Sequence, residues 1–148
     1  MAQTVDPAFQ FAHQLRVRFA ETDAMGVVYY GNYLTFFEAS RVDYLRAIGC
    51  PYRELETAGL VAAVTEAHCY YHAPARFDEL LEVHVRIAQL RKASMTFAYE
   101  VRRPEDDRRL ATGTTSHACL NQATLRPTAL PPPLREAILA WEGDQVLR

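Results

Sequence analysis

From residue 13 the chain alternates strictly: Leu15, Val17 and Phe19 fall on one side, and Gln14, Arg16 and Arg18 on the other. That period of two predicts a half-buried strand over His13 to Phe19. The pattern breaks over 20–31, a segment that carries Gly26 and Gly31, and Asn32 is then placed to cap a helix over 33–48. Gly49 and Pro51 stop it. Leu34, Phe37, Leu45 and Ile48 make one stripe, and Tyr33, Phe36 and Tyr44 widen it beyond the ~100° of a surface helix, so this helix is expected to be mostly buried. A short helical turn over 51–57 follows, closed by Gly59. Then come strands: a long one over 60–72, two clean alternations at Leu81 to Ile87 and Met95 to Val101, and a β-rich stretch over 109–120. Their short connections predict antiparallel neighbours. A proline-rich segment leads into a last amphipathic helix over 134–141.

One long apolar helix with some five antiparallel strands predicts an α+β domain in which a curved sheet wraps the helix. The 148 residues suffice for one such domain and its core, and divide into a leader 1–12, a domain 13–141 and a tail 142–148. A sheet of this kind has two edges, and edges are managed by pairing or covering. Self-association is therefore expected.

Composition narrows the partners. A formal charge of −2 offers no broad basic face for nucleic acid. Cys50, Cys69 and Cys119 are odd in number and far apart, which suggests neither disulfides nor a paired-cysteine metal motif. The start has no basic, then apolar, targeting pattern, and no apolar run is long enough to span a membrane, so a cytoplasmic protein is expected.

The chemistry concentrates in Glu21-Thr22-Asp23-Ala24-Met25-Gly26-Val27-Val28-Tyr29-Tyr30-Gly31-Asn32-Tyr33. Asp23 is a carboxylate in a tight loop just before a helix start, and the glycines allow another group to approach the backbone. A helix N-terminus offers free N–H donors and about half a positive charge, which suits a carbonyl oxygen turning negative. The donors would come from Tyr30 or Gly31. The plainer reading is that Asp23 is a turn aspartate bonded to its own loop.

Phe19-x-x-Thr22-Asp23-x-x-Gly26-Val27-Val28-Tyr29-Tyr30-x-Asn32-Tyr33, with Phe36-Phe37-Glu38 and Arg41, resembles the hotdog-fold acyl-CoA thioesterases of the 4-hydroxybenzoyl-CoA thioesterase family, including those linked to the Tol-Pal envelope system. Tyr70-Tyr71-x-Ala73-Pro74-Ala75-Arg76 with Asp78, the turn at Arg91 to Ser94, and Arg126-Pro127 before Leu130-Pro131 extend the resemblance along almost the whole chain. It implies a hotdog fold with active sites at a subunit interface, hydrolysis of an acyl-CoA to free acid and coenzyme A, no cofactor, and a homodimer or dimer of dimers. Asp23 would be the catalytic carboxylate, and the Tyr30 backbone amide would polarise the thioester carbonyl. Many similar members have histidine where this chain has Tyr30. A phenol near pKa 10 cannot take over an acid–base role at neutral pH, which tilts the expectation toward aryl or bulky acyl groups.

Other residues have plain and functional readings. Gly26, Gly31 and Tyr33 would shape the substrate site. Arg76, Arg91 and Ser94 are candidates to hold coenzyme A phosphates, against a default of solvated charge at turns. Glu38 and Arg41 have the spacing of an i,i+3 ion pair. His68 and His72 share a strand face but fall short of a metal's ligand set, so no metal is expected. The noncatalytic alternative is a module that binds acyl-CoA or an acyl carrier.

Overall fold

Leu81, Val83, Val85 and Ile87 are fully buried, while Glu82, His84 and Arg86 between them keep partial solvent contact. This is the alternation of a strand with one face on the core, and it organises the computed structural model, which describes residues 4–148. The strands are β1 (Phe11–Arg16), β2 (Leu60–Tyr71), β3 (Leu80–Leu90), β4 (Ser94–Arg103) and β5 (Arg108–Asn121). Among the described residues they form one antiparallel sheet in the order β1-β3-β4-β5-β2. The helices are α1 (Asn32–Ala47), α2 (Tyr52–Thr57) and α3 (Pro132–Glu142). α1 lies mainly over β3 and β1, so that one curved sheet packs on one long helix, the α+β arrangement expected from the sequence.

Aromatic rings fill the contact between helix and sheet. Phe37 stacks on Tyr99 with centroids 4.2 Å apart, and the Tyr44 ring meets Phe97 edge-on at 5.9 Å. The close approach requires Gly113 on β5, because a Cβ there would lie 2.6 Å from the Phe37 ring. The Tyr44 hydroxyl donates to Glu142 Oε2 at 2.6 Å, and the same oxygen accepts the Ile87 N–H at 2.8 Å. Burial, and then the Glu142 carboxylate, raise the Tyr44 hydroxyl far above its ordinary pKa.

Several expectations shift. Strand β1 ends at Arg16, and Phe19, 75% exposed, begins a short 3₁₀ turn over Phe19–Glu21, which breaks the alternation after the extended Arg18. Of the leader, residues 1–3 lie outside the described residues, and Phe11 and Ala12 already pair with β3. The tail does not run free: a 3₁₀ turn at Asp144–Leu147 buries Val146 beside β3. Asn32 does not cap α1; Gly31 holds that position, and the Asn32 side chain donates to Glu21 O. The helix keeps a solvent face that includes Leu34, 42% exposed, and Glu38. On β4, Glu100 and Arg102 are buried on the side that alternation reads as solvent. Their mutual ion pair at 3.1 Å, and that of Arg102 with Asp107 at 2.9 Å, compensate the burial.

Candidate active site

The segment between β1 and α1 is a hairpin pinned on both sides. Thr22 bridges to Val28, the Asp23 N–H donates to Val27 O at 2.9 Å, and the Gly26 N–H donates to Asp23 O at 2.9 Å. Gly26 makes the turn with φ +77°, a conformation that disfavours any side chain. The hairpin is tied to the rest of the molecule through Val28 N–H to Ala75 O, 2.8 Å, and Tyr29 N–H to Glu21 O, 2.9 Å. Asp23 is half-buried at its tip. Its Oδ1 accepts the Met25 N–H at 2.8 Å, the local bond of a turn aspartate, while Oδ2 has no hydrogen-bond partner among the described residues. The plain reading thus occupies one oxygen and leaves the other available.

The chain enters α1 directly after this loop. Asn32 N–H is the first of the helix to find an acceptor, Tyr29 O at 2.9 Å. The N–H groups of Tyr30 and Gly31 donate to no acceptor among the described residues. The helix has no side-chain cap and no acidic residue in its first turn, so the positive end of its dipole stays uncompensated. Asp23 lies close enough to this segment for its charge to be felt at Tyr29. The Tyr29 hydroxyl is held above its ordinary pKa first by a hydrogen bond with Tyr30, with the Asp23 charge adding to it. The segment from Asp23 to Gly31 thus carries one carboxylate oxygen and two backbone amides without hydrogen-bond partners among the described residues.

Four tyrosines surround the amides. Tyr30 is 63% exposed; its ring lies 4.7 Å from Tyr29 and 6.4 Å from Tyr71. Tyr33 is only 3% exposed, packed edge-on to Tyr71 at 5.2 Å, and burial pushes its hydroxyl up to about 12. It is a wall of the site rather than an exposed contact. Tyr71, at the end of β2, donates its hydroxyl to Tyr30 O at 2.9 Å. That carbonyl belongs to the peptide whose N–H is Gly31, so Tyr71 fixes the plane of one free donor. The Tyr70-Tyr71 pair stood in the sequence, but only the fold brings the end of β2 to the start of α1.

Arg76 is close by. Its Nη1 lies 3.9 Å from where a Cβ on Gly26 would sit, and its guanidinium has no partner among the described residues. Arg103 holds this segment in place through Pro74 O at 3.3 Å and Glu79 at 3.1 Å. Gly31 is crowded, since a Cβ would come 3.0 Å from the Tyr29 ring. Arg91 and Ser94 are not part of this cluster. They sit at the β3–β4 turn, past the far end of an 11-residue strand that begins near Arg76, a span of roughly 33 Å at the usual strand rise. His72 bonds Thr112 and His68 lies by Glu66, so the two histidines serve separate partners. Glu38 and Arg41 form no ion pair among the described residues, and Arg41 instead faces Tyr99 and His117.

The profile of the thioesterase-like superfamily matches residues 17–138. The chain is 32% identical over 128 residues to the acyl-CoA thioesterase YbgC of Haemophilus influenzae, covering 86% of this chain and 93% of that one. It is 31% identical over 123 residues to a 1,4-dihydroxy-2-naphthoyl-CoA hydrolase of Thermosynechococcus vestitus, covering 82% and 84%. Its fold superposes on the DHNA-CoA thioesterase of Staphylococcus aureus with a TM-score of 0.83, at 30% identity, covering 90% of this chain and 94% of that one. None of the described helices is long and apolar enough to cross a membrane. With this fold, and with matches along most of its length, the chain belongs to the thioesterase-like superfamily and is a thioester hydrolase.

Proposed function

We propose that the protein hydrolyses an acyl-CoA thioester to the free acid and coenzyme A, with Asp23 as the reacting carboxylate and the α1 amides as the oxyanion site. The observation that carries this reading is that Asp23 Oδ2 and, a few residues on at the start of α1, the N–H groups of Tyr30 and Gly31 have no hydrogen-bond partner among the described residues. The thioester carbonyl lies on those amides. Oδ2 attacks its carbon, the coenzyme A thiolate leaves, and water cleaves the acyl-aspartyl anhydride to the acid and free Asp23. The tyrosine rings around the amides support an aryl or bulky acyl group, the kind named for the naphthoyl-CoA relative. Arg76, beside the Gly26 turn and with its guanidinium unpartnered among the described residues, is the cation offered to a phosphate of coenzyme A.

Arg91 and Ser94 reach this site only if a second copy brings its β3–β4 turn to it. Strand β2 supports such pairing: it is an edge strand, mostly exposed through its middle and end. Thiol release from a panel of aryl and aliphatic acyl-CoAs, measured for wild type and Asp23→Asn, tests the reading. A fall of about 10²-fold or more is expected. A variant with nearly full activity would remove Asp23 from the mechanism, and a wild type that binds these compounds without releasing thiol would make the protein a binding module.

A further inference from the structure

Between the end of β2 at Tyr71 and the start of β3 at Leu80 the chain leaves the sheet and passes alongside the Asp23 hairpin. The bond between the two is Val28 N–H to Ala75 O at 2.8 Å. Ala75 is fully buried and Val28 nearly so, which shields this bond from water. Tyr33, in the first turn of α1, also lies against the Ala75 backbone. Whatever fixes Ala75 therefore fixes where the hairpin, with Asp23 at its tip, stands relative to the start of α1.

Two charged side chains hold the backbone on either side of Ala75. Glu79 Oε1 accepts the Arg76 N–H, and Arg103 Nη1 donates to Pro74 O at 3.3 Å. The same Arg103 nitrogen reaches both Glu79 oxygens, at 3.2 and 3.1 Å, while Nε and Nη2 are anchored on Asp106 at 2.9 and 2.8 Å. Their side chains are only 22% and 14% exposed for Glu79 and Arg103. A pair that served only to fasten β3 to β4 would close on itself, whereas here each partner gives a bond to the loop backbone. The rest of the segment cannot do this work. Pro74, Arg76, Phe77 and Asp78 are exposed, and Asp78 has φ +66°, a conformation uncommon outside glycine. Backbone bonds from His72 and Ala73 to Leu110 O, and between Val17 and residues 78–79, hold the two ends. An exposed middle with few packing contacts takes its place from charge-assisted bonds.

We propose that Glu79 and Arg103 are positioning residues for thioester hydrolysis: they hold Ala75 O, and through Val28 the hairpin, where Asp23 meets the thioester carbonyl. The proposal rests on the role of Asp23 given above. Neither side chain touches the substrate. Without either, the hairpin is free to shift, and a misplacement of about 1 Å at a reacting group costs on the order of 10²-fold in rate. Arg76 lies in the same segment, so a second route, through the coenzyme A phosphates, is separated by a thioester that carries none.

The test measures thiol release from the acyl-CoA that wild type cleaves fastest and from the N-acetylcysteamine thioester of the same acid, with amide hydrogen exchange over residues 22–29. Glu79→Ala should lower kcat about tenfold or more on both thioesters. Exchange over 22–29 should quicken while that of β3 and β4 stays unchanged. Glu79→Gln keeps an acceptor for the Arg76 N–H and should recover part of the rate; Arg103→Lys, which keeps the charge and loses the fork, should resemble Glu79→Ala. These two variants carry the test if the alanine variant does not fold. On an Asp23→Asn background, Glu79→Ala should cost less than about twofold, since the groups act as one unit. Unchanged exchange over 22–29, full additivity with Asp23→Asn, or a kcat within about twofold of wild type would overturn the proposal. So would a loss confined to the acyl-CoA, which would put the effect at Arg76. If Asp23→Asn is inactive and the Glu79 and Arg103 variants are unimpaired, the positioning role alone fails; if Asp23→Asn keeps full activity, the role of Asp23 fails and its positioning with it.

Discussion

Glu142 offers the sharpest test of how α3 is fastened to the domain. Its buried carboxylate accepts both the Tyr44 hydroxyl at 2.6 Å and the Ile87 N–H at 2.8 Å, at the point where the register of β3 on β4 shifts. Glu142→Met keeps the volume and removes both acceptors. Two buried donors are then orphaned, at about 1–3 kcal/mol each. Part of that is regained because a carboxylate no longer has to be buried, which leaves a net loss of about 2–4 kcal/mol. For a domain of this size the melting temperature should fall by about 6–12 °C. Tyr44→Phe removes one of the orphans, so the double variant should be less destabilised than the sum of the singles by about 1–2 kcal/mol. Urea unfolding of the four proteins measures the cycle. A Glu142→Met cost below about 0.5 kcal/mol, or strict additivity in the double variant, would refute the claim that this carboxylate bridges helix and sheet.

The remaining expectations are independent of that bridge. His117 is held neutral at about 4 in the fold, against an ordinary value near 6.5. Its contribution is fully present above pH 6.5 and is lost as pH falls toward 4, on the order of 3 kcal/mol in all; urea unfolding at several pH values should show this slope, flattened in His117→Asn. Tyr71→Phe loses the 2.9 Å bond to Tyr30 O. In the thiol-release assay kcat should drop about fivefold with KM little changed, as expected for about 1 kcal/mol lost at the oxyanion donor. Gly113→Ala drives a methyl against the Phe37 ring; thermal melting should show a loss of about 1–3 kcal/mol from overpacking.

The legible parts of the fold were those in which each residue's place depends on its near neighbours. The alternation of Leu81 to Ile87 and of Met95 to Val101 became β3 and β4, and the aromatic stripe from Tyr33 to Leu45 became the inner face of α1. The loop around Asp23 was readable for the same reason: an aspartate, a glycine turn and a helix start lie within one short segment, and the turn forms as that pattern predicts. Where a strand's face was judged by alternation alone, the reading failed at Glu100 and Arg102. Their burial depends on ion pairs that neighbouring residues and the next turn provide. Leu34 looked like core because it is apolar, yet the helix turns it outward.

The sequence by itself determined an α+β domain, its strands and its long helix, and the glycine-turned aspartate loop that leads into that helix, because periodicity and turn chemistry act over a few residues. Only the tertiary structure decided which distant groups join them. It brought Tyr71 to the Tyr30 carbonyl and Arg76 to the Asp23 loop, set Arg91 and Ser94 at the opposite end of β3, and turned Arg41 away from Glu38 toward Tyr99 and His117. Those placements follow from strand order and register, which bring together residues some 40 to 75 positions apart along the chain, and no local pattern encodes them.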